Sequence, residues 1–219
     1  MPEKLQILDW GRTPYIKALE EQTSLVQGRK EERSPDTLIF TEHESVYTIG
    51  SRTNASENLL WSEEECAENN IVLHKTNRGG DITYHGPGQL VVYPIIKLKQ
   101  RDLHLYLRNL EKVVIALMKY FGIDSGTRHE KTGIWVEDRK ICAIGVSVKS
   151  WITYHGIALN INPDMSFFKG IIPCGIRDGS VTSLKNELRI IPDLNIIKER
   201  FIVEFNSIFY KNNLDHAEK

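Results

Sequence analysis

The residues able to do chemistry in this chain are best met through its cysteines, of which there are three. A free cysteine is usually just a small buried apolar residue. Cys174 has a different setting, the loop sequence Ile-Pro-Cys-Gly. Pro173 stiffens the approach, and Gly175 lets another group come close to the sulfur. Neighbouring N–H groups could serve an oxyanion, although Pro173 has none to offer. Cys142 is the second candidate. It sits in an apolar strand two residues after Lys140, and strict strand alternation puts both side chains on one face. A nearby ammonium favours thiolate, but packing is the commoner role for a mid-strand cysteine. Cys66 lies among Glu63, Glu64, Glu65 and Glu68, whose charges disfavour a thiolate, so it reads as structural.

A second constellation runs Arg78-Gly79-Gly80-Asp81-Ile82-Thr83-Tyr84-His85-Gly86-Pro87-Gly88-Gln89. Paired small turns flank a short polar and aromatic strand, which is more chemistry than a hairpin needs. Glycines permit close approach of the backbone to a ligand. Arg78 could bind an anion, and His85 could act as donor or base. His155, in Tyr-His-Gly, reads more naturally as a satisfied strand histidine. The remaining histidines show no metal-ligand spacing with cysteine or acidic partners, so no structural metal is expected.

These groups need elements to position them. A short strand over 5–9 precedes a helix expected to start with Thr13 as N-cap and Pro14 as first helical residue. Ile16, Leu19 and Val26 give that helix its expected buried stripe. Residues 37–42 and 45–49 read as strands. Ser62 and Glu65 form a capping-box pattern for a short helix. Buried strands are expected over 71–74 and 89–96. Apolar residues at helical spacing predict a helix over 103–121, stopped by Gly122. A hairpin across Asp138-Arg139 joins 133–137 to 140–148, another strand covers 151–161, and a loop-like stretch covers 162–180. A last amphipathic helix spans about 194–210. Strands cluster in hairpins and helices are few, which is an α+β pattern within the α/β class: a mixed, mostly antiparallel sheet with flanking helices.

The 219 residues suit a single domain over 1–219, and 41% apolar with 26% charged residues suit a globular core. The net charge of −1 gives no global field for nucleic acid. No nucleotide-binding glycine fingerprint is present. No stretch is long and apolar enough for a membrane span, the acidic N-terminal region argues against a transit peptide, and three cysteines suggest no disulfide framework. The cytoplasm is the expected compartment.

Three ordered blocks are similar to the lipoyl(octanoyl) transferase family. They are RGGDITYHGPGQLVVY from Arg78 to Tyr93, KICAIGVSV from Lys140, and YHGIALNINPDMSFFKGIIPCGIRDGSVTSL from Tyr154 to Leu184. The resemblance runs from about residue 37 to Leu184. It implies the fold shared by lipoate and biotin protein ligase catalytic domains, with no cofactor beyond an octanoyl group carried on the phosphopantetheine of acyl carrier protein. It implies transfer of that group to a lysine of the lipoyl domains of 2-oxoacid dehydrogenase complexes or of glycine-cleavage H protein. Position by position, it implies that Cys174 carries the acyl thioester and that Lys140 is the catalytic lysine lowering the thiol pKa. His85 is a further catalytic candidate. Arg78 to His85, Ala143-Ile144-Gly145 and Gly156-Ile157-Ala158 are expected to line the acyl site. The resemblance leads one to expect a small alanine where Cys142 stands.

The chemistry agrees. A thiol exchanges a thioester at near-equal energy, Lys140 can serve as a base for the acceptor amine, and the small Gly145, Gly156 and Ala158 leave room for an apolar tail. Two rivals share parts of this reading: an ATP-dependent lipoate-protein ligase, and a non-catalytic acyl-binding module. An acidic carrier protein would need a local basic surface, for which Arg78, Arg52 and Lys149 are the candidates.

Overall fold

The computed structural model describes residues 5–129, 131–173 and 179–210. Strand β1 (Gln6–Arg12) leads into helix α1 (Tyr15–Lys30), followed by β2 (Thr37–Glu42) and β3 (Val46–Ile49). A 3-10 turn at Ala55–Asn58, α2 (Glu63–Glu68), β4 (Val72–Lys75), β5 (Thr83–His85) and β6 (Gln89–Ile95) come next. Then follow α3 (Leu103–Tyr120), β7 (Gly126–Arg128), β8 (Lys131–Val136), β9 (Arg139–Lys149) and β10 (Ile152–Asn160). The chain ends on a 3-10 stretch at Met165–Gly170, β11 (Ser180–Val181), α4 (Leu184–Glu187) and α5 (Leu194–Phe209).

Eight strands make one sheet, in the order β1-β2-β6-β10-β9-β8-β7, with β11 paired to β9; β4-β3-β5 form a second, three-stranded sheet. Among the described residues, the β1–β2 and β11–β9 pairs of the large sheet are parallel and the others antiparallel. The mixed, mostly antiparallel sheet with flanking helices is the architecture expected.

Every residue of β6 is buried, as a strand covered on both faces requires. Leu90 and Val92 join the core cluster that includes Leu110, Leu117, Phe201 and Phe205 of α3 and α5. Val91, Tyr93 and Ile95 pack with Ala18 and Val26 of α1. The small sheet has its own cluster, in which Tyr47, Ile82 and Tyr84 meet Phe168 and Ile171.

Four local expectations are corrected. Pro14, not Thr13, occupies the N-cap of α1, with no side-chain cap; the Thr13 hydroxyl donates to the Trp10 carbonyl at 3.0 Å. The buried stripe of α1 is Tyr15, Ala18, Gln22, Val26 and Arg29, while Ile16 is exposed. That inward face is partly polar: Gln22 Oε1 accepts from the His155 N–H at 2.8 Å, and Arg29 pairs with Asp36 at 2.7 Å. Strand β4 is an edge with Val72 exposed, rather than a buried strand. The β8–β9 turn is Glu137-Asp138, with Val136 facing Arg139 and Glu137 at φ 56°. The capping box forms as expected, Ser62 accepting from the Glu65 N–H and Glu65 from the Ser62 N–H.

One irregularity matters for the site. On β8, Ile134 and Trp135 are adjacent, but their partners on β9 are Cys142 and Lys140. Ile141 is therefore an extra residue, a β-bulge. Ile141 and Cys142 both join the core under α3 and α5. Ala143 packs on the α1 side, and Lys140 lines a cavity with Trp135. Strict alternation, which places Lys140 and Cys142 on one face, is broken here: the extra residue moves Lys140 to the other phase of the strand.

Candidate active site

A narrow crevice of about 40 Å³ lies between the large sheet and the small one. Its floor comes from Val91 and Tyr93 of β6, Ala143 to Gly145 of β9 and Gly156 to Ala158 of β10. These two triplets face each other in register, Gly156 opposite Gly145 and Ala158 opposite Ala143. The opposite wall is Arg78, Gly80, Asp81, Thr83 and His85, with Tyr15 from the start of α1. At Gly145 a Cβ would come within 2.9 Å of the Gly79 carbonyl and 3.1 Å of Arg78 Cδ, so closure of the two walls requires the missing side chain. The structure thus brings together most of the residues the sequence singled out. Ile82 and Tyr84 instead point into the small sheet's core, and Gly79 acts through its backbone, its N–H bonding to the Val146 carbonyl at 2.8 Å.

The polar wall is tightly bonded. Arg78 is 7% exposed; its guanidinium donates to the Thr48 carbonyl at 2.6 Å, to Thr48 Oγ1 at 2.9 Å and to the Gly79 carbonyl at 3.2 Å. It builds the wall and is too deep to be a docking surface, which corrects that part of the sequence expectation. Arg52 and Lys149 are exposed. Asp81 accepts from Asn58 Nδ2 at 2.9 Å and from the Ile82 N–H at 2.7 Å, tying the 3-10 turn at Ala55–Asn58 to the glycine motif.

His85 Nδ1 donates to Gln89 Oε1 at 2.7 Å. Gln89 Nε2 in turn donates to Asn160 Oδ1 at 2.9 Å, and Asn160 Nδ2 to the Thr182 carbonyl at 2.9 Å. This chain of amides places the His85 proton on Nδ1 and leaves Nε2 as an acceptor. Burial, aided by the neighbouring His43 and Arg78, pushes the His85 pKa well below its ordinary value, so the ring is neutral. Burial also lowers His43 to about 4, and burial with Arg78 lowers His155 to about 3. His43 holds Tyr93 by accepting its hydroxyl at 2.6 Å, and Tyr15 stacks on His85 with ring centroids 6.1 Å apart. Tyr15, His43 and Tyr93 were not read as site residues. Tyr93 does close the glycine block, but nothing local marks Tyr15 or His43, which come from other elements.

A second cavity, of about 210 Å³, holds Lys140 together with Trp135, Met165, Phe168, Lys169, Pro173, Gly179, Ser180 and Val181. β11 pairs directly with this part of β9, Val181 opposite Lys140, and the Thr182 N–H donates to the Lys140 carbonyl at 2.9 Å. On the other side, Leu59 bridges Ile171 and the Ile172 N–H reaches the Asn58 carbonyl at 2.8 Å. Cys174 lies outside the described residues; Pro173 and Gly179, on either side of that segment, both border the Lys140 cavity. Cys142 is fully buried in the core, and burial pushes its thiol up despite the nearby Lys140. Cys66 is buried in the small sheet's cluster, its thiol raised by burial and by Glu65 and Glu63. Among the described residues no cluster of His, Cys, Asp or Glu is arranged to hold a metal ion, and no helix is long and apolar enough to cross a membrane.

The architecture that carries this crevice is shared with solved lipoate and biotin protein ligases. The bipartite lipoate protein ligase of Thermoplasma acidophilum, studied with its E2 lipoyl domain, superposes with a TM-score of 0.72 at 16% identity, over 94% of this chain and 84% of that one. Biotin protein ligase from Aquifex aeolicus gives 0.52 at 15% identity, over 95% and 70%. Within that fold, the profile of the lipoyl protein ligase A/B catalytic domain matches residues 14–206, and the chain belongs to that family. It is 50% identical to the octanoyltransferase of Rubrobacter xylanophilus over 192 residues, 86% of each chain. It is 43% identical to the octanoyltransferase of Caldanaerobacter subterraneus over 206 residues, 93% of this chain and 90% of that one. The family match extends beyond the three blocks of the sequence reading, taking in α1 and most of α5.

Proposed function

We infer that the chain is an acyltransferase that moves an octanoyl group onto the lysine of a lipoyl domain, through a thioester on Cys174. Acyl carrier protein, with the octanoyl group on its phosphopantetheine, is the proposed donor, and the lipoyl domains of 2-oxoacid dehydrogenase complexes and glycine-cleavage H protein are the proposed acceptors. No further cofactor is required. The observation that carries the reading is the bulge at Ile141. It sets Lys140 beside Pro173, the residue before Cys174, and about 10 Å along β9 from the crevice at Ala143 to Gly145. A reactive carbonyl at the lysine and an acyl tail in the crevice then fit one substrate.

In the first step the Cys174 thiolate attacks the donor carbonyl, a C–S bond forms, and the bond to the pantetheine sulfur breaks. The leaving thiolate takes a proton. The Lys140 ammonium favours the attacking thiolate and is placed to supply that proton. In the second step the acceptor amine attacks the same carbonyl, an amide C–N bond forms, and the Cys174 sulfur leaves. Lys140, now neutral, takes the excess amine proton. Neutral His85, whose lowered pKa makes it a poor base, is a candidate to orient the substrate by accepting a hydrogen bond at Nε2.

A lipoate ligase shares the fold, but the solved lipoate ligases are 14–17% identical to this chain, against 50% for an octanoyltransferase. Incubation with octanoyl-carrier protein and mass spectrometry tests the reading. An octanoyl adduct on Cys174 that disappears on adding a lipoyl domain is expected. Acceptor acylation that requires ATP and leaves Cys174 bare would overturn it.

A further inference from the structure

Lys140 reaches its cavity through a slot built by two residues of β8. Gly133 has φ +125°, and a Cβ there would come within 2.5 Å of Lys140 Cε and 3.1 Å of Nζ. The lysine stem therefore crosses the strand where any side chain would block it. Trp135 is the register partner of Lys140 and is 2% exposed. Its ring centroid lies 5.4 Å from Lys140 Nζ, and the Arg128 guanidinium carbon sits 4.9 Å from the same ring. Gly179 lies against the same ring, since a Cβ there would come within 3.3 Å of Trp135 Cζ3 and 3.2 Å of Arg128 Nη1. The indole is thus held in place by Arg128 of β7 and the Gly179 backbone, and Lys140 meets it across the bulge.

An indole face attracts a cation through its quadrupole but neither takes a proton from it nor pairs its charge. It can therefore restrain an ammonium group by position. Resting on the reading of Lys140 as the catalytic lysine, we propose that Trp135 is a positioning residue for the transfer reaction, its ring holding the Lys140 ammonium in the cavity. Gly133 opens the path for the lysine stem, and Arg128 steadies the ring. The alternative is that Trp135 only fills the core, in which case any well-packed apolar replacement should serve.

The test compares Trp135→Phe, which keeps an aromatic face, with Trp135→Leu, which removes it; Trp135→Met replaces the latter if it fails to fold by thermal unfolding. Two quantities are read on the full chain. One is the rate of Lys140 modification by an amine-directed reagent, resolved by peptide mass spectrometry. The other is kcat and KM for a short octanoyl thioester with a lipoyl domain as acceptor. Loss of the ring should lower kcat by at least about tenfold, as expected when a reacting group is displaced. KM should stay within about twofold, because the acyl crevice is untouched. The Lys140 modification rate should change, and Trp135→Phe should restore most of both properties. Equal behaviour of the Phe and the Leu or Met variants in both measurements would overturn the proposal. The Lys140→Met variant isolates the underlying reading: full transfer without Lys140 would remove its catalytic role, whatever the Trp135 series shows.

Discussion

The crevice and the Lys140 cavity lie on the same strand and are built on opposite principles. The polar wall of the crevice is closely hydrogen-bonded. Arg78 is tied to Thr48, His85 to Gln89 and Asn160, and Asp81 to Asn58. The Lys140 cavity is shaped by absent side chains at Gly133 and Gly179, by a bulge, and by cations over an indole. The first arrangement gives a fixed shape, which suits the passive tail proposed for it. The second turns the lysine, through the bulge, into a cavity of its own. An acyl-transfer site needs both, and separating them along β9 keeps the rigid network away from the proton chemistry.

The comparison is broken most completely at the nucleophile. Cys174→Ala should abolish transfer and leave no octanoyl adduct, while thermal unfolding stays close to the parent; activity surviving in this variant would exclude Cys174. Next comes Lys140→Met, which keeps the stem but removes the charge. Transfer should fall by roughly 10²–10⁴-fold, the usual worth of a positioned acid–base group, and alkylation of Cys174 should need a higher pH. An unchanged alkylation profile would place the lysine away from the sulfur.

The crevice should respond to pH through stability. His43 at about 4 and His155 at about 3 are lowered by burial, below the 6.5 of an unfolded histidine. The unfolded chain therefore takes up protons first as pH falls, and the folded state loses stability from about pH 6.5 down to those lowered values. At pH 5 the loss should reach about 2 kcal/mol for each histidine. Thermal unfolding at pH 7 and pH 5 checks this, and His43→Gln should shrink the difference. A melting temperature flat across that range would show that these rings are not held neutral. The smallest effect belongs to Cys142→Ala: near-full transfer with a stability loss of about 1 kcal/mol, since the thiol is buried in the core. Loss of activity in a folded Cys142→Ala protein would move the chemistry to that thiol.

The same contrast explains what was legible in the sequence. The crevice wall is contiguous from Arg78 to Gln89, so residue type and spacing revealed it, and the facing triplets of β9 and β10 lay in readable strands. Tyr15 and His43 enter from α1 and the end of β2, through contacts that only the folded chain creates. The Lys140 cavity was misread by one step. Alternation put Lys140 with Cys142 because a bulge has no signature in an apolar run such as KICAIGV; its cause is the register with β8. The buried stripe of α1 was missed for a related reason, since Gln22 and Arg29 are buried by virtue of distant partners, His155 and Asp36.

The two anchors around the Cys174 segment also bear on the order in which the molecule comes together. Leu59 meets Ile171, and β11 meets β9 beside Lys140; the first pair joins parts of the chain far apart in sequence. β11 is only two residues long and can be held only against a β9 that is already paired. Long-range closures of this kind form late, because their entropy must be met before their contacts reward it. If Cys174 is the nucleophile proposed above, the flanks of its segment should reach Lys140 only in the last stage of folding. Pulsed thiol labelling during refolding would then find the reactivity of Cys174 appearing after the large sheet is protected.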